Sequence, residues 1–112
     1  MDRNVILEET LFGFPIRCQV TRLDDGIHVL LTGGSRTHIG AISTCLPGNA
    51  PETRVFPGHK DHYISEPWAK TLAGHFGVPV CVVCGIHYDN ASKAQIAEIL
   101  DCTNGMLARM MV

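Results

Sequence analysis

Apolar positions along this chain follow two periods, one of strands and one of helices. From Pro15 to Arg22 they alternate, with Ile16, Cys18 and Val20 on one side and Arg17, Gln19 and Thr21 on the other, as in a half-buried strand. Asp24-Asp25-Gly26 marks a hairpin, because Asp-Gly accepts the positive φ of a tight turn. Ile27 to Thr32 returns as a more apolar strand. After a glycine-rich turn, His38 to Leu46 makes a third strand, ended by Pro47-Gly48, so the spacing predicts an antiparallel meander. Asn49 to Tyr63 holds two prolines, a glycine, two histidines and a lysine and reads as an irregular loop, long enough to suggest a functional one.

The second half shifts toward the helical period. Ser65 is the expected N-cap, with Pro67 in the first turn, Trp68, Leu72 and Phe76 on the buried stripe and Gly77 as the C′ residue. Val78 to Ile86 is almost continuously apolar, as expected of a strand covered on both faces. Asp89 or Asn90 is expected to cap a last helix that buries Ile96, Ile99, Leu100 and Leu107 and is ended or loosened by Asn104-Gly105. The order β-β-β-α-β-α gives an α/β (α+β) class: an antiparallel β-meander followed by α-β-α, in one compact domain over residues 1–112.

Composition narrows the functions available. At 46% hydrophobic and 18% charged, the chain is globular rather than disordered. Nine basic residues face eleven acidic ones, without the basic excess of a nucleic-acid binder, so no nucleic acid is expected. No apolar run approaches the roughly 20 residues that span a bilayer, and acids interrupt the amino-terminal apolar patch, unlike a signal peptide. A cytoplasmic protein without a membrane partner is the expectation. The odd count of five cysteines, mostly in apolar runs, fits free thiols. Cys81 and Cys84 have redox-pair spacing, yet residues three apart on a strand face opposite ways, so they read as core. His59 and His62 are too few for a metal, and no metal site is expected.

The densest chemistry lies in Gly33-Gly34-Ser35-Arg36-Thr37-His38-Ile39-Gly40. Paired glycines let backbone N–H groups form an anion-holding nest. Ser35 adds a hydroxyl, Arg36 a permanent charge with a fork suited to phosphate or carboxylate, and His38 a ring able to donate or stack. The bland alternative is a hairpin loop with a solvated arginine. The turn lacks the Gly-Lys-Ser/Thr of a Walker loop, and it precedes a strand instead of opening a helix as a dinucleotide fingerprint does. Lys60, just before a helix amino terminus, could meet a phosphate, and His87 lies where an apolar strand feeds a helix, a position that commonly faces ligand. No catalytic residue emerges, since no nucleophile–base set is identifiable by motif.

Gly33 to Ala41, together with Gly85-Ile86-His87-Tyr88-Asp89-Asn90-Ala91, resembles the small LpdD-like prenylated-flavin chaperones, accessory proteins of UbiD-type hydroxyaryl decarboxylases. The likeness extends over most of the chain in length, element order and motif placement. It implies a non-catalytic protein that binds prenylated FMN, or FMN, and passes it to a UbiD-type decarboxylase, working as a homo-oligomer, with a homodimer the natural form. On that reading Gly33, Gly34, Ser35 and Arg36 hold the phosphate, His38 and His87 edge the ring system, and Lys60 makes a second phosphate or ring-oxygen contact. Two other classes remain open. One is a small enzyme acting on a phosphorylated or carboxylated metabolite with a histidine general acid/base; the other is a ligand-free homodimeric assembly factor.

Overall fold

The computed structural model describes residues 3–112. Six strands form one mixed sheet: β1 (Asn4–Leu11), β2 (Phe14–Leu23), β3 (Gly26–Gly34), β4 (Ala41–Cys45), β5 (Glu52–Val55) and β6 (Val80–His87). Two helices, α1 (His62–Phe76) and α2 (Lys93–Met110), complete the expected α+β class. The spatial order is β1-β2-β3-β6-β4-β5, with β6 parallel to β3 and antiparallel to β4.

An antiparallel meander is present, but its members are β1, β2 and β3. The strand expected to complete it, β4, lies beyond β6, so Gly33 to Gly40 is not a hairpin. The chain leaves β3, passes over the end of β6 and re-enters the sheet on the far side. Local spacing could not show this, because the separating strand comes some forty residues later.

Two strands were absent from the sequence expectation for identifiable reasons. The turn joining β1 to β2 is Phe12-Gly13, both at positive φ (52° and 81°), where a hairpin normally advertises itself with Asn-Gly or Asp-Gly. β5 is a four-residue edge strand, Glu-Thr-Arg-Val, mostly exposed and without an apolar period. It occupies part of the segment that reads as irregular loop.

Both helices pack their apolar stripes against one face of the sheet. Ile16, Cys18 and Val20 of β2, Val29 and Leu31 of β3, and Val82 and Cys84 of β6 meet Trp68 and Leu72 of α1 and Ile99, Met106 and Leu107 of α2 in a single core. At roughly 25 cal/mol per Å² of apolar surface removed from water, this burial is the main favourable term holding the layers together. β6 is therefore not covered on both faces: Val80, Val82 and Cys84 are buried, while Cys81 and Val83 face the helix-free side and are half-buried.

Helix boundaries also moved. α1 begins one turn earlier than expected, with Asp61 at the N-cap position, and Ser65 is buried inside the helix, where its hydroxyl pairs with that of Ser43 at 2.7 Å. Gly77 ends α1 in the left-handed conformation, as expected. For α2 the cap is Ser92, which forms a reciprocal capping box with Gln95, rather than Asp89 or Asn90. Asn90 instead takes φ 52° in the connecting turn. Ile96, expected in the core, is 48% exposed, and α2 runs unbroken through Gly105.

Two glycine substitutions should separate the constrained positions from the tolerant ones. A Cβ at Gly85 would overlap the backbone carbonyl of His38, whereas one at Gly105 would meet nothing. Gly85→Ala should cost at least about 3 kcal/mol in urea unfolding. Gly105→Ala should stabilise by up to about 1 kcal/mol, because it removes a helix-interior glycine without a clash.

Candidate functional site

Where the 35–40 segment crosses the end of β6, three close approaches fix its path. A side chain at Gly34 would strike the His87 carbonyl, one at Gly85 would strike that of His38, and one at Gly40 would strike the Asp61 carboxylate. The Ser35 N–H donates to the His87 carbonyl at 2.8 Å and the Gly40 N–H to the Cys84 carbonyl at 2.9 Å, which pins both ends of the crossing. Gly34, at φ 85°, thus brings the chain onto its own neighbouring strand, and the Ser35 N–H is already engaged.

The crossing carries His38 to the buried Asp61. Their Nε2 and Oδ2 atoms lie 3.0 Å apart, with the histidine side chain 15% exposed and the aspartate 6%. Asp61 is a residue type favoured for capping, yet it makes no side-chain cap and holds helical dihedrals (φ −65°, ψ −15°). Its Oδ1 accepts the Ile86 N–H at 2.9 Å and faces the Cys84 thiol at 3.9 Å. The carboxylate therefore ties α1, β6 and the crossing segment together. Burial, followed by the nearby Asp61 charge, pushes the Cys84 thiol well above its ordinary range, and burial alone pushes Cys18 up to about 12. Such burial disfavours the thiolate form at both.

Three more histidines lie nearby, in different settings. The His59 ring stacks on His38 with centroids 4.4 Å apart and planes 27° from parallel. His87 stands edge-on to His38 at 6.5 Å, and its Nε2 pairs with Asp89 at 2.8 Å. His62 does not join them; it lines a separate groove with Tyr63, Glu66 and Lys70. Asp89, read as a helix cap in the sequence, instead holds His87 and lies within reach of the Ser35 hydroxyl at 3.4 Å. The hydrogen bond from His87 holds its carboxyl below the usual range, with smaller contributions from Ser35 and Arg36.

Beside this cluster, between the first turns of α1 and α2, lies a cavity of about 500 Å³. Ile64, Ile86, Ile99, Leu100 and Tyr88 supply its apolar and aromatic lining, and His59, Lys60, His87 and the largely buried Asp61 its polar lining. The partly exposed Ile96 lines it too, which accounts for its place outside the core. Tyr88 is held by its hydroxyl, which donates to the Leu11 carbonyl at 2.8 Å, and by edge-on contacts with Phe12 and Phe14. A cleft of similar size at the opposite end of the sheet is lined by Asp25 and Glu52, with His28 its one basic-type side chain, a poorer setting for an anion. Of the residues singled out in the sequence, Lys60 and His87 line the first cavity. Ser35, Arg36 and His38 lie at the same end of the sheet, while Gly33 and Gly34 border a different groove with Arg17 and Glu8. Asp61 and Tyr88 are not among the binding residues that the sequence points to. An acid immediately before a helix was the one signal that could have flagged Asp61.

Fold and site together define a small α+β domain with helices on one face and a ligand-sized cavity beside two helix amino termini. The chain belongs to the prenylated flavin chaperone LpdD-like domain family, whose match spans residues 10–112. It is 35% identical over 99 residues to Protein LpdD of Lactiplantibacillus plantarum, a match covering 84% of this chain and 73% of that protein. The fold is also similar to a chain in the crystal structure of a chaperone complex for yeast 20S proteasome assembly. There the TM-score is 0.56 at 12% identity, covering 99% of this chain and all of that one. Family membership supports a non-catalytic accessory role.

Asp61→Ala would leave the Ile86 N–H without its acceptor and His38 without its partner. The variant should lose about 2–3 kcal/mol of stability in denaturant titration. Asp61→Asn, which keeps an acceptor for Ile86, should lose less.

Proposed function

We propose that the protein is a carrier that holds prenylated FMN, or FMN, at the cavity between α1 and α2 and delivers it to a UbiD-type decarboxylase. The observation that carries this reading is the cavity itself: an apolar and aromatic wall together with Lys60, His59 and His87. A flavin ring needs such a wall, and its phosphate needs cationic donors near helix amino termini, where the backbone dipole favours negative charge. Lys60, and Arg36 with the Ser35 hydroxyl, supply the phosphate contacts. His87 and His38 flank the ring system. The glycines at 33 and 34 enter this reading by shaping the crossing that presents Ser35 and Arg36.

A carrier of this kind works where its partner enzyme does, which makes the cytoplasm its place of action. No helix among the described residues is long and apolar enough to cross a membrane. The homodimer implied by the family resemblance has a surface available in the helix-free sheet face, where Leu30, Val83 and Ile42 sit side by side, each half-buried. Light scattering on the purified protein would give its mass in solution.

One observation favours a second reading, a small enzyme acting on a phosphorylated or carboxylated metabolite. An imidazole held by a buried carboxylate, as His38 is by Asp61, is also how a general base is oriented. Turnover by the isolated protein, abolished in His38→Ala, would select that reading over the carrier.

Flavin affinity, followed by fluorescence quenching, checks the carrier. Lys60→Ala and Arg36→Ala should each weaken FMN binding by roughly tenfold or more, the loss of a charge-assisted hydrogen bond worth about 1.5–3 kcal/mol. Unchanged affinity in both variants would overturn the phosphate assignment.

A further inference from the structure

We propose that His38, His59 and Asp61 form a binding site for one divalent transition-metal ion of the zinc class, with an open coordination position toward the cavity. The inference stands apart from the flavin reading, since it uses no feature of the flavin and needs none bound.

The first support is convergence. Each of the three residues offers a donor atom, and all three donors lie within 4.8 Å of one another. They come from separate places: His38 from the crossing segment, His59 from the loop before α1, and Asp61 from the start of α1. A tetrahedral ion bound at about 2.0–2.1 Å wants its donors roughly 3.3 Å apart. His38 Nε2 and Asp61 Oδ2 are already at 3.0 Å. His59 is on a loop and only partly buried, and among the described residues its side chain is engaged in the ring stack alone, which leaves the ring free to turn its nitrogen toward the other two donors.

The second support is the arrangement behind the donors. Metal-bound histidines usually offer their other ring nitrogen to a carbonyl, and ligating carboxylates are usually held from behind. His38 directs Nδ1 at the Arg36 carbonyl, 3.4 Å away, and the second oxygen of Asp61 is held by the Ile86 N–H at 2.9 Å. With the His38 proton on Nδ1, a nitrogen lone pair and a carboxylate oxygen face each other at 3.0 Å, and a cation between them resolves the conflict. The carboxylate is 94% buried and forgoes a helix cap to hold this position, where it requires a positive partner.

The third support is access. His59 and Asp61 line the 500 Å³ cavity, so an ion bound between them reaches solvent and can take an anionic oxygen as its fourth ligand. Two imidazoles and one carboxylate suit zinc, iron(II), cobalt(II) or nickel(II) better than calcium or magnesium, which favour all-oxygen sites. Three protein ligands with one open position is the pattern of ions that meet a ligand, as opposed to closed structural sites.

Protein stripped with chelator and titrated with cobalt(II), without flavin, provides the test through the visible d–d bands of a low-symmetry site. Zinc competition then gives the affinity. The expected result is one ion per chain, with His59→Gln weakening binding at least about tenfold and leaving the thermal midpoint of the metal-free protein unchanged. His62→Gln, three residues on and lining the other groove, should bind as the unsubstituted chain does. Absence of stoichiometric uptake from micromolar zinc, or equal binding by the His59 and His62 variants, would overturn the site and leave His38–Asp61 as a proton-sharing pair. A chain that takes up flavin but no metal refutes only this inference; one that takes up metal but no flavin refutes only the carrier.

Discussion

The passage of residues 35–40 over the end of β6 governs this molecule. It succeeds because Gly34, Gly40 and Gly85 leave room where any side chain would collide with the His87 carbonyl, the Asp61 carboxylate or the His38 carbonyl. The crossing places β4 on the far side of β6, which makes the sheet mixed and sets where α1 can pack. It also delivers His38 to Asp61 and stations Ser35 beside His87 and Asp89. The fold and the chemistry of the site thus depend on the same few close contacts.

Asp61 is the second half of that arrangement. A buried carboxylate costs several kcal/mol unless it is paired and hydrogen-bonded, and this one, set at the start of α1, draws its partners from two other elements: the β6 backbone and the crossing segment. The cavity sits beside it because two helices begin at the same end of the sheet and neither packs tightly against the other there. Apolar residues of α2 that would otherwise reach the core, Ile96 foremost, line that space instead.

What could be read from the sequence follows the range of each signal. Strand period, helix stripe and the Gly77 stop are local, and they placed β2, β3, β6 and the body of both helices. The pairing of β4 with β6 is not local, since nothing between Gly33 and Gly40 indicates that another strand will come between its neighbours. β1 was hidden by a Phe-Gly turn that departs from the usual hairpin dipeptides, and β5 by its exposure. At the site, Lys60 and His87 were recognisable from their positions beside helix starts. The glycine pair was recognisable as a place of close approach, although the group approached is the protein's own backbone. The stack of His59 on His38 depends on the crossing, which no spacing encodes.

The strand order also sets a timetable for the growing chain. β1, β2 and β3 are neighbours in sequence and in space, so that meander can close as soon as its residues are made. β4 and β5 can pair with each other, but they cannot join the sheet until β6 has been synthesised and slotted between β3 and β4. Until then the inward edge of β3 and one edge of β4 are both unpaired, and such edges invite pairing with other chains. The insertion of β6 is a long-range, entropically costly closure, and proteins dominated by such contacts fold slowly. It is also the event that brings Gly85 beneath His38 and the Ile86 N–H to Asp61, so the crossing and the His38–Asp61 pair cannot take their final form before the sheet is complete, and the cavity waits further for α2.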